Sequence, residues 1–170
     1  MLLSDPGKKA VDAVVLAAYE DARDDVYYYA VTFGISPAQA QDVAQEVFLK
    51  LYVQLRSGEE IRNTRAWLFR VTHNEALKMK AKERRHMEME AGVEPAAEGA
   101  GAEKRMIEEQ SRRRLRTALA DLSPQQRQVL ELRAAGLRYR EIAETIGIGV
   151  STVNEFMRRA VARLRKALHE

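Results

Sequence analysis

Residues 91–102, AGVEPAAEGAGA, hold one large aliphatic side chain, Val93, among alanines, glycines, glutamates and a proline. A segment of that composition has no apolar face to bury, and its glycines and proline disfavour regular structure, so it reads as a flexible linker. A chain of 170 residues broken there folds as two small modules. Both are expected to be helical. Apolar residues recur at spacings of three and four on either side of the break, and no stretch shows the sustained alternation that strands need. The expected fold class is all-α, two small helical domains joined by a flexible linker, with boundaries at 10–86, 87–107 and 108–170.

Punctuation within each module supports this division. Val11, Val14, Val15, Ala18, Tyr19, Ala22, Val26, Ala30 and Phe33 line a first helix that Gly34 stops. Ser36-Pro37-Ala38-Gln39 is a start signal: a serine cap, a proline in the first turn and a glutamine in the capping-box position. The helix it opens runs to about Leu55, a loop follows from Arg56 to Glu60, and Asn63 or Thr64 caps a third helix. That helix carries Trp67, Leu68, Val71 and Leu77 and continues to about Arg85. Helical spacing resumes near Met106 with Ile107, Leu115, Ala118, Leu119 and Leu122. Ser123-Pro124-Gln125-Gln126 then repeats the start signal for a helix that ends at Gly136.

Charge is patterned along the chain although the net value is only +3. Lys78 to Arg85 holds five basic residues and one acid, and Arg158 to Lys166 holds five basic residues and no acid. Between them Glu88, Glu90, Glu94, Glu98 and Glu103 form an acidic run. The near-neutral total therefore hides a basic–acidic–basic pattern, which says more for a nucleic-acid partner than the net charge does. The absence of cysteine excludes disulfides and thiolate metal sites. No apolar run reaches the roughly 18–20 residues that span a membrane. The start, MLLSDPGKK, lacks a secretory core, so the cytoplasm is the expected location and no membrane contact is expected.

The most specific pattern is YREIAETIGIGVSTVNEFMRRAVARLRKAL, residues 139–168. It reads as two helices joined by a tight glycine turn: Ala143 is small where the helices cross, Gly147 stands where the turn needs a positive φ, and Ile142, Ile146, Ile148 and Val153 lock the pair. This is the pattern of a helix-turn-helix, whose second helix enters the major groove of DNA. With Gly149 as its cap, Ser151, Thr152, Asn154 and Glu155 fall in the turns that reach base edges, while Arg158, Arg159 and Arg163 lie further along, toward phosphates. The plain alternative is a helical hairpin with a solvated basic face.

Two further constellations lie in the first module. In DVAQEVFL, residues 42–49, Val47, Phe48, Leu51 and Leu55 face a core with Ala40 and Ala44, which leaves Asp42, Gln45, Glu46 and Leu49 on the opposite stripe. A leucine beside two carboxylates on an outer face suits a helical partner with a basic surface, although an ordinary acidic solvent face has the same pattern. In NTRAWLFRVTHNEALKMKAKERR, residues 63–85, Trp67 and Phe69 are interleaved with Arg70, Asn74, Lys78, Lys80, Lys82, Arg84 and Arg85. Rings that stack on bases, with cations along the backbone, suit melted nucleic acid; the plain alternative makes Trp67 core and the lysines a solvated helix end. No metal or cofactor is expected. Asp42 and Glu46 lack a third ligand nearby, and the only histidines are His73, His86 and His169. No nucleophile–base pair or phosphate loop is present, so no catalysis is expected.

Taken in order, these stretches resemble the extracytoplasmic-function sigma factors of bacterial RNA polymerase. QDVAQEVFLKLY resembles the family's polymerase-binding helix, TRAWLFRVTHNEAL its promoter-melting helix, and LADLSPQQRQVLELR with YREIAETIGIGVSTV its upstream-element module. The resemblance runs from about Val11 to Leu168. It implies that Asp42, Gln45, Glu46 and Leu49 dock on the clamp helices of the largest polymerase subunit. It implies that the loop 56–64 and the helix with Trp67, Arg70, Asn74 and Lys78 engage the minus-ten element. The second module would then contact the flap of the second-largest subunit and read the minus-thirty-five element. It also implies an anti-sigma factor as a further partner. The chain departs from the family pattern at Gln41, Lys78 and Ala81, and at Asn154, Glu155 and Phe156 in the reading helix; there a glutamate would accept a hydrogen bond from a cytosine amine. The resulting expectation is a promoter-specificity factor for transcription initiation, against a free helix-turn-helix regulator or a sigma-like decoy that does not initiate.

Overall fold

The computed structural model describes residues 6–89 and 106–169, in seven helices and no strand. Three form the first module: α1 (Pro6–Val31), α2 (Pro37–Arg56) and α3 (Thr64–Met89). Four form the second: α4 (Met106–Ala120), α5 (Pro124–Ala134), α6 (Tyr139–Ile146) and α7 (Val150–His169). The linker expected at 87–107 falls largely outside the described residues.

The start and stop signals act as their chemistry demands. Gln39 N–H donates to Ser36 Oγ at 3.2 Å and Ser36 N–H donates to Gln39 Oε1 at 2.8 Å, closing the capping box of α2. Ser123 and Gln126 form the same box on α5 at 3.2 and 3.1 Å. Asn63 caps α3 by accepting from Ala66 N–H at 3.0 Å. Gly34, Gly136 and Gly147 have φ of 72°, 91° and 79°, the left-handed region in which glycine ends a helix without strain.

In the first module Ala22, Val26, Tyr29 and Ala30 of α1 pack against Ala40, Val43, Val47, Phe48 and Leu51 of α2 and Leu68, Phe69 and Ala76 of α3, all buried. The first turns of α1 reach past this core, which leaves Val14 and Leu16 exposed. In the second module Val129 and Leu132 of α5, Ile142 and Ala143 of α6 and Val153 of α7 are buried together. The two cores are continuous across a seam where α3 meets α6 and α1 meets α5. Two helical modules were expected from the sequence; their packing against one another was not.

Candidate protein and nucleic-acid interfaces

The outer stripe of α2 is presented as its periodicity requires. Asp42, Gln45, Glu46 and Leu49 are exposed while Val43, Val47, Phe48 and Leu51 are buried behind them. Leu49 is 56% exposed and Val53, one turn on, 58%, so the stripe ends in two adjacent apolar side chains with no cover. Val53 belongs to the stripe by the same four-residue step and was missed because the motif ends at Leu49. Glu46 is tied at 3.7 Å to Lys50. Lys50 also bonds Glu75 of α3 at 2.6 Å, which raises the lysine's pKa. Burial pushes the Glu75 carboxyl up, but hydrogen bonds from Lys50 and Lys78 outweigh it and hold the group below its usual range.

On α3, Trp67, Arg70, Asn74 and Lys78 share one stripe by spacings of three and four; Arg70, Asn74 and Lys78 are exposed and Trp67 is half-buried. Phe69, read from the sequence as one of the rings interleaved with cations, is fully buried, edge-on to Tyr29 with ring centroids 5.7 Å apart. Trp67, which the plain alternative places in the core, is half-buried and keeps part of its surface on the polar stripe. The basic tail is not uniform. Lys78 reaches back to Glu75 at 2.9 Å, and Lys80 to the Gly34 carbonyl at 3.3 Å and Glu83 at 3.4 Å. Lys82, Arg84 and Arg85 are exposed, with Arg85 Nε 3.4 Å from the Ala81 carbonyl.

The second module builds the helix-turn-helix as its sequence dictates. Gly147 N–H donates to the Ala143 carbonyl at 2.9 Å and Ile148 N–H donates to the same oxygen at 3.1 Å, so the turn closes directly on the small residue. Gly149 caps α7, its carbonyl accepting from Val153 N–H at 3.1 Å. Ser151, Asn154, Arg158 and Arg159 are exposed, with Thr152 and Glu155 half-exposed among them. Phe156 lies on the flank of this face and packs against the core. Arg163 donates to the Asp121 carbonyl, tying α7 to the turn between α4 and α5. Glu155 is hydrogen-bonded to Arg158 and Arg159 together, and these bonds hold its carboxyl below the usual range.

A fourth polar cluster, at the seam, was not anticipated. Arg65 donates from Nε to the Ala135 carbonyl at 2.5 Å and from Nη1 to Asp21 at 2.6 Å, and its Nη2 bonds Asp25. Its guanidinium also lies 5.7 Å from the centre of the Phe69 ring. Beside it Asn63 Nδ2 donates to Glu141 Oε1 at 2.7 Å, while Glu141 Oε2 accepts from Arg138 N–H at 2.7 Å. The side chains at the starts of α3 and α6 therefore bond each other across the modules. Glu131, half-buried here, has its pKa raised by burial and then by Asp25. Among the described residues no group of acids and histidines could hold a metal ion, and no helix is long and apolar enough to cross a membrane.

Known proteins match this arrangement in both halves. Residues 18–86 match the family description Sigma-70 region 2, and residues 112–164 match Sigma-70, region 4. The chain is 30% identical over 171 aligned positions to the ECF RNA polymerase sigma factor SigL of Mycobacterium tuberculosis, covering 96% of this chain and 94% of that protein. Among solved structures, the fold is similar to that of the sigma factor RpoE in complex with the anti-sigma factor NepR from Bartonella quintana. That match has a TM-score of 0.67 and 24% identity, over 90% of this chain and 95% of that one. It is also similar to CnrH in complex with the cytosolic domain of CnrY, with a TM-score of 0.60 and 22% identity over 96% and 92% of the two chains. With both regions matched in order and a relative aligned over nearly its whole length, the chain belongs to the extracytoplasmic-function sigma factors of bacterial RNA polymerase.

Proposed function

We propose that this sigma factor docks on the clamp helices of core RNA polymerase through Asp42, Gln45, Glu46 and Leu49, with Val53 extending the contact. The observation that carries this reading is the single exposed stripe on α2, acidic at one end and apolar at the other, backed by a packed core. A stripe of that kind matches a helical partner with basic side chains flanking an apolar seam. Residues 10–86 then act at the minus-ten element, where Trp67, Arg70, Asn74 and Lys78 meet melted strand and Lys80, Lys82, Arg84 and Arg85 follow the backbone. Residues 108–170 act at the minus-thirty-five element through α7 and touch the flap of the second-largest subunit, with 87–107 as the acidic connector. The protein supplies binding energy and no bond chemistry, works in the cytoplasm, and has an anti-sigma factor as a second partner, a reading supported by the solved complex of RpoE with the anti-sigma factor NepR.

The docking assignment is tested by Asp42→Lys combined with Glu46→Lys. The double variant is expected to fold normally and to fail to co-elute with core polymerase. Holoenzyme formed by the double variant at wild-type affinity would remove the α2 stripe from the interface.

A further inference from the structure

The exposed face of α7 has an acid at its centre. Ser151, Glu155, Arg158 and Ala162 follow one another at steps of four and three, and Arg159 flanks them, so Glu155 sits where a reading helix meets the groove. Both oxygens of that carboxylate are engaged by arginines in the free chain. Oε2 accepts from Arg158 Nε at 3.1 Å and from Arg158 Nη2 at 2.7 Å. Oε1 accepts from the same Nη2 at 3.0 Å and from Arg159 Nε at 2.7 Å. A carboxylate offers about four lone-pair sites, and three N–H groups face them, the Nη2 hydrogen being shared between both oxygens, which leaves little acceptor capacity for a cytosine amine. This argues against the direct cytosine contact expected from residue type alone.

The same geometry gives Arg158 a defined task. Glu155 holds the Nε–Nη2 edge of its guanidinium and leaves the Nη1–Nη2 end, the end that donates bidentately to O6 and N7 of guanine. Arg158 is 74% exposed at its side chain, so that end is open to a ligand. A free arginine on a helix facing DNA has many phosphates within reach. An arginine clamped side-on by a carboxylate has fewer conformations to lose on binding, and the carboxylate's own charge opposes a phosphate at that spot.

We propose that Glu155 is a positioning residue for upstream-element recognition, clamping Arg158 side-on so that its free end reads a guanine and setting Arg159 beside it for a flanking phosphate. The inference rests on the assignment of α7 as the minus-thirty-five reading helix. Because exposed ion pairs of this spacing contribute little to folding, Glu155 substitutions leave the protein folded and act on readout.

The test uses full-length protein assembled with core polymerase on a promoter library randomised across the upstream element. Wild type, Glu155→Gln, Glu155→Ala and Arg158→Ala are compared by sequencing the initiating promoters. Wild type is expected to select a guanine at a position where Arg158→Ala abolishes the preference. Both Glu155 variants lose the preference at that same position by about 5- to 150-fold, the span of one bidentate base contact. They also bind non-specific duplex more tightly, with a salt slope steeper by about one. A guanine preference unchanged in both Glu155 variants overturns the clamp. So does a lost cytosine preference at a position that Arg158→Ala leaves intact, because Glu155 would then be reading the base itself. A wild-type holoenzyme that initiates with no upstream preference overturns the assignment of α7 together with the clamp, and is recognised by the missing motif before any variant is considered.

Discussion

At the scale of single residues, the most informative pair in the core is Tyr29 with His73. Tyr29 is fully buried and burial raises its pKa, so its hydroxyl keeps its proton and shares a 2.8 Å hydrogen bond with His73 Nδ1. His73 makes this bond in the interior of the first module. It lies among uncharged rings, stacked on Tyr29 with centroids 6.2 Å apart and edge-on to Phe33 at 5.2 Å, and burial pushes its pKa below the ordinary 6.5. A base with a depressed folded pKa leaves the unfolded chain holding more protons as pH falls through 6.5. Its stabilising contribution is complete above that pH and is lost toward the lower folded value. The melting temperature is accordingly expected to fall between pH 7.5 and 5.5, and His73→Phe should flatten that dependence in differential scanning calorimetry. His73→Phe alone strands a buried hydroxyl at a cost of about 1–3 kcal/mol, and adding Tyr29→Phe should recover much of the loss.

At the scale of elements, the turn of the helix-turn-helix separates backbone strain from packing. Gly147 has φ of 79°, and a Cβ placed there would meet nothing within 4 Å. Gly147→Ala is thus expected to destabilise the second module by about 1–2 kcal/mol through conformation alone, and Gly147→Asn by less, in urea unfolding. Features of this kind were legible in sequence because each is fixed within a few residues: the two Ser-Pro-x-Gln starts, the glycine stops, the small Ala143 and the α2 stripe. What escaped depends on neighbours distant in sequence. Trp67 and Phe69 are both large aromatics, and their ranking is set by Tyr29, the ring that α1 places edge-on against Phe69. Phe156 looks like a reading residue from its place in the motif, yet it lies on the flank that packs inward. Glu155 signals only its charge; the engagement of both its carboxylate oxygens by two arginines appears once rotamers are in place.

For the whole molecule, the seam between the modules conflicts geometrically with the proposed reading of two promoter elements. Elements named minus ten and minus thirty-five lie about 25 base pairs apart, or about 85 Å at roughly 3.4 Å per pair. Two touching modules of about 70 residues, each with a radius of gyration near 11 Å, have centres only about 30 Å apart. Engagement of both elements at once therefore requires the seam to part, and the side chains that hold it set the ease of parting. Arg65 is central among them, because it bonds Asp21 and Asp25 of α1 and the Ala135 carbonyl of the other module from one guanidinium. Its side chain is 30% exposed, so solvent screens the carboxylate pairs and each is worth about 0.2–1 kcal/mol, with the charged bond to the carbonyl adding about 1.5–3 kcal/mol. Only Ala135 among these partners lies across the seam, which places the cost of Arg65→Ala to closure near 2 kcal/mol, or about 30-fold in the closed-to-open ratio. Small-angle X-ray scattering of the free protein is expected to show a larger radius of gyration for Arg65→Ala than for wild type. Wild type should move in the same direction as salt is raised, since the carboxylates that orient the guanidinium are screened. Because only the open form spans the two elements, the variant's apparent affinity for core polymerase on promoter DNA should rise with the fraction opened, up to the same 30-fold limit. A scattering profile identical to wild type at both salt concentrations would show that the Asn63–Glu141 hydrogen bond and the continuous apolar core, and not Arg65, hold the modules together.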